Sequence, residues 1–72
     1  MKRLFIDIVG MEDKRLDFIG QLFPCIEQAG EAAQVVSIDL AIADNSPWIG
    51  AEVQVKDEQG RCLLRYPIRQ LQ

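Results

Sequence analysis

Apolar residues recur at three- and four-residue steps between Asp13 and Gly30, where Leu16, Ile19, Leu22, Phe23 and Ile26 are separated mainly by charged residues and glutamines. That spacing predicts a helix with one apolar face. Asp13 is placed to cap its first turn and Gly30 to end it. Pro24 predicts a bend, because proline has no amide hydrogen and its ring crowds the carbonyl of Gly20. The flanking segments alternate instead. In Lys2–Val9, Leu4, Ile6 and Ile8 oppose Arg3, Phe5, Asp7 and Val9; in Gln34–Ile42, Val36, Ile38, Leu40 and Ile42 oppose Val35, Ser37, Asp39 and Ala41. Both read as strands.

Asp44-Asn45-Ser46-Pro47 is a dense turn signal, followed by Trp48 and Ile49. Gly50–Asp57 and Arg61–Tyr66 then read as a hairpin around Asp57-Glu58-Gln59-Gly60, with Gly60 supplying positive φ. A four-residue loop pairs Val55 with Cys62, Val53 with Leu64 and Ala51 with Tyr66, keeping apolar with apolar. Pro67 is expected to end this strand or to sit on an edge, and Ile68–Gln72 to form a short tail. The predicted order is β-α-β-β-β in one domain spanning residues 1–72. The expected fold is an α+β two-layer sandwich, with one kinked helix on a four-stranded mixed or antiparallel sheet. One helix covers one face, so Phe5, Val9, Val35, Ala41 and Leu63 on the other form an apolar set suited to self-association.

Composition sharpens this only a little. The chain has 72 residues, enough for one small core, and 49% hydrophobic content argues against disorder. Eight basic residues against eleven acidic ones leave a net charge of −3. Arg61, Arg65 and Arg69 form a sparse basic series, but the acid excess weighs against a nucleic-acid surface. The apolar run at residues 4–9 is too short to span a membrane, and no secretory leader pattern is seen, so a cytoplasmic location is expected.

The chemical inventory is sparse. Cys25 and Cys62 match no paired metal-ligand spacing, and there is no histidine to complete a zinc site or activate a nucleophile. Gly10-Met11-Glu12-Asp13 lacks the glycine spacing of a phosphate loop, and its acids would repel a phosphate. No cofactor is expected. Asp7 and Asp39 are acids within predicted strands; with Glu52 they form a candidate divalent-metal or acid–base group, if the strands are neighbours. The plainer reading has them facing water or pairing with Arg3, Lys56, Arg61 or Arg65. Two functional readings follow, with catalysis left open. One is a non-enzymatic interaction or regulatory domain, homodimeric or bound to another protein, using Trp48, Ile49, Phe5, Leu63 and Tyr66. The other is a small metal-dependent hydrolase or ligand-binding domain using Asp7, Asp39 and Glu52.

Overall fold

A computed structural model describes residues 1–43 and 46–69. The expected turn at Asp44 and Asn45, and the tail at 70–72, lie outside the described residues. The fold is α+β, with one helix packed on one face of a sheet. The strands are β1 (Lys2–Val9), β2 (Lys14–Arg15), β3 (Gln21–Phe23), β4 (Glu52–Lys56) and β5 (Cys62–Pro67), and the helix α1 is Ile26–Ile42. All described pairings are antiparallel, in the order β2-β1-β4-β5, with β3 also paired to β1.

The positions of the elements differ from expectation in the first half. Of the expected helix at 13–30 only Ile26–Gly30 is helical, as the first turns of α1. Gly10 N–H donates to the Asp13 carbonyl at 2.8 Å, closing a turn that sends the chain back along β1. Ile8 then faces Arg15 and Leu4 faces Gln21. Gly20, at φ +76°, and Pro24 interrupt the helical spacing. Cys25 is the extended N-cap of α1, so Pro24 precedes the helix rather than kinking it. The predicted strand at Gln34–Ile42 is the C-terminal half of that helix.

The surface that α1 turns to the sheet is made of small residues. Ala29, Gly30, Ala33 and Ser37 are buried, with Ala32, Val36 and Leu40 half-buried beside them. A Cβ on Gly30 would stand 2.6 Å from the Tyr66 hydroxyl and 3.0 Å from Leu64 Cδ1, so the helix lies close against β5. Beneath it, Leu4, Ile8, Val53 and Val55 form the inner face of the sheet, and Phe23 from β3 and Ile68 from the tail join the core. Ile68 N–H donates to the Ala51 carbonyl, and its own carbonyl accepts from Gly50 N–H. The tail after Pro67 is thereby pinned, and Pro67 ends an edge strand as proline should.

The hairpin register is shifted from the expected one. Val53 faces Tyr66, Gln54 faces Arg65 and Val55 faces Leu64, and a bulge then brings Lys56 opposite Cys62. The cause is the turn. Asp57 Oδ1 accepts from the N–H groups of Gln59 and Arg61, while Oδ2 takes the Arg61 guanidinium at 2.8 Å. This side-chain bracket ties the loop back to Arg61, whose carbonyl also accepts from Asp57 N–H. The inward set Val53, Val55, Leu64 and Tyr66 keeps its face, but Cys62 moves to the other.

Candidate functional site

The second face of the sheet, away from α1, carries the most unusual local structure. Between the pairs Ile8–Arg15 and Leu4–Gln21 lie three residues of β1 (Phe5, Ile6, Asp7) and five of the facing segment (Leu16–Gly20). The two surplus residues form a bulge, and a carboxylate fills the gap they open in the ladder. Asp17 Oδ2 accepts from Ile6 N–H at 3.4 Å, and Oδ1 accepts from Ile19 and Gly20 N–H at 3.2 and 2.9 Å. Partial burial pushes the Asp17 carboxyl up. The N–H groups of Gly20, Ile6 and Ile19 together outweigh that and hold it below the ordinary aspartate value.

Asp7 completes the fastening. Its Oδ1 accepts from Asp17 N–H at 2.8 Å, and its Oδ2 lies 3.2 Å from Lys56 Nζ on β4. Asp7 is buried, so an unpaired charge would be costly here, and both of its oxygens are engaged. Arg3 adds a bond from its guanidinium to the Ile19 carbonyl at 2.9 Å. Gly20 lies so close to Phe5 and Arg3 that a Cβ there would come within 2.8 to 3.0 Å of their side chains. The bulge thus folds over the second face of β1.

Held this way, the bulge presents apolar side chains to water. Phe18 is 84% exposed and Ile19 80%, with Leu16 and Leu22 each close to half open. Between the bulge and the β4–β5 turn runs a shallow, open groove of about 260 Å³, lined by Phe5, Leu16, Phe18, Lys56, Glu58 and Gly60, with Asp7, Asp17 and Asp57 also on its walls. Beyond Val9, half-buried opposite Glu52, the rest of that face is mainly polar: Gln54 donates to Glu52, and Arg65 lies 4.0 Å from Glu52. Val35 and Ala41, expected there, belong to the helix.

The candidate residues from the sequence scatter. Asp7 and Glu52 share the second face, with Gln54 between them across the β1–β4 pairing, while Asp39 is exposed on α1, on the opposite side of the sheet. The three carboxylates do not converge, because the segment holding Asp39 is a helix and not a strand beside β1. Among the described residues no group of three or more potential metal ligands gathers. Trp48 packs half-buried against the core and Ile49 is exposed beside it. Tyr66 faces the helix near Gly30, Phe5 lies under the bulge and Leu63 is exposed next to the β5 irregularity. Cys25 and Cys62 carry free thiols.

Asp17, Phe18 and Ile19 are the functional candidates that periodicity hid. A signal for them exists in Asp17-x-x-Gly20, an aspartate able to bond backbone amides ahead of it and a glycine free to take positive φ. Comparison with protein-family models, with curated proteins and with solved structures finds no match for this chain.

Proposed function

We propose that this chain is a non-enzymatic interaction domain whose docking element is the Leu16–Gly20 bulge. The observation that carries the reading is a large apolar surface on a backbone held in place. Phe18 and Ile19 gain nothing from exposure in the isolated chain, yet Asp7, Asp17 and Arg3 together hold the segment that displays them. Ordering a residue costs about 1–2 kcal/mol. A partner meeting an already ordered bulge is spared most of that cost, which is how preorganisation favours binding. Apolar patches of this kind, rimmed by charge, mark interaction sites on small domains.

We further propose a cytoplasmic location, a setting that suits two unpaired cysteines. Among the described residues no helix is long and apolar enough to cross a membrane. The test is a photoreactive phenylalanine analogue at position 18, irradiated in intact cells, with the same analogue at exposed Gln28 as reference. A discrete protein adduct is expected from position 18 and not from position 28. Equal, diffuse labelling from both positions would remove the reading.

A further inference from the structure

Resting on that reading, we infer that the partner at the bulge is a second copy of this chain, with each copy's Phe18 entering the other's groove about a two-fold axis. The first argument is shape. One patch holds both a projecting ring, Phe18, and beside it a hollow floored by Phe5 and walled by Leu16. A surface with knob and hole side by side is self-complementary, as a two-fold interface requires.

The second argument is area. Leu16, Phe18, Ile19 and Leu22 leave about 450 Å² of apolar surface open on the sizes of these side chains. A standard interface takes roughly 800 Å² from each partner, and homodimer interfaces are about 65% apolar, so about 500 Å² of apolar area per chain is needed. The bulge and Leu22 of β3 together nearly supply it. An open stripe on α1, Val35, Ile38 and Ile42, offers only about 300 Å² by the same reckoning.

Charge supplies the third argument. On that face the patch carries Lys14, opposite Val9, at one end and Glu58, on the turn beyond the Phe5–Lys56 pair, at the other. A two-fold axis crossing the middle of the patch exchanges its ends and sets each basic end against an acidic one. Such pairing fixes orientation more than it adds affinity.

Sedimentation equilibrium of the full chain, from micromolar to near-millimolar concentration, tests this. The mass is expected to rise above the 8.2 kDa of one chain towards twice that value. Phe18→Ser is expected to weaken association at least about 30-fold with an unchanged far-ultraviolet spectrum, since an exposed side chain leaves folding intact. Ile38→Ser is expected to associate as the parent does. Glu58→Lys and Lys14→Glu should each weaken association about two- to fivefold, and their combination should restore it.

A parent chain of 8.2 kDa throughout, a Phe18→Ser variant that still pairs, or dissociation by Ile38→Ser alone would each overturn the inference. So would simple addition of the two charge effects. A monomeric parent whose position-18 analogue captures a different protein overturns the self-pairing and leaves the docking reading standing. Equal, diffuse labelling at positions 18 and 28 by a monomeric parent removes both.

Discussion

Two aspartates decide the local structure of the first half of the chain. Asp17 satisfies three backbone N–H groups that the bulge takes out of the ladder. Replacing it with alanine leaves them without that acceptor, and Asp17→Ala is expected to lower stability by about 1–3 kcal/mol in urea unfolding. Faster amide exchange at Gly20 should accompany the loss. The same carboxylate makes stability depend on acid. Its folded pKa lies below the unfolded value, so its contribution is complete above the unfolded value and is lost as pH falls through the folded one. In that acid window the unfolded chain binds more protons, so stability rises with pH. Asp57, held down first by the Arg61 N–H, adds a slope of the same sign. Comparing parent and Asp17→Asn below about pH 4 isolates the share of Asp17, and a smaller slope is expected in the variant. Asp7 was conspicuous in the sequence as an acid within a strand, and Lys56 was among its candidate partners. Its bond to Asp17 N–H was not legible, because it depends on a two-residue surplus that alternation cannot reveal.

At the level of elements, α1 shows why two good periodicities misled. The Leu16–Ile26 spacing fits a helix and the Val36–Ile42 alternation fits a strand, yet the first becomes the bulge and the short strand β3 and the second lies in α1. In the first, Gly20 and Pro24 are strong interruptions, and pairing with β1 supplies the backbone partners. In the second, the run Glu27–Gln34 is rich in helix formers, and Ala29, Ala33 and Ser37 at four-residue steps mark the buried face. That face is legible only if small residues, and not large apolar ones, are taken as the packing surface. Close contact has a measurable consequence: Gly30→Val must push against Tyr66 and Leu64. A destabilisation of about 1–3 kcal/mol is expected from thermal unfolding, despite the better helix propensity of valine. The β4–β5 hairpin was read correctly in kind and misplaced in register, because the Asp57 bracket is a side-chain effect invisible to hydrophobic matching.

For the whole molecule, the α+β class and the hairpin were legible, the hairpin because a turn signal at Asp57–Gly60 separates two alternating runs, whereas the single helix was expected in the wrong segment. The route between β1 and α1 was not legible. The core closes late in the sequence, at Ile68, whose side chain is buried and whose backbone bonds both Ala51 and Gly50. Ile68→Ala is expected to cost about 2–5 kcal/mol, read from the urea midpoint, with the bulge region and the hairpin unfolding together. A sheet with this much open apolar surface risks recruiting further chains side by side into fibres. The surplus residues opposite Phe5–Asp7 interrupt one margin, and the Leu63 irregularity followed by Pro67 blunts the other. Among the described residues no long straight template remains for an incoming strand. The kink that displays Phe18 therefore also breaks the straight edge on which amyloid-like stacking would build.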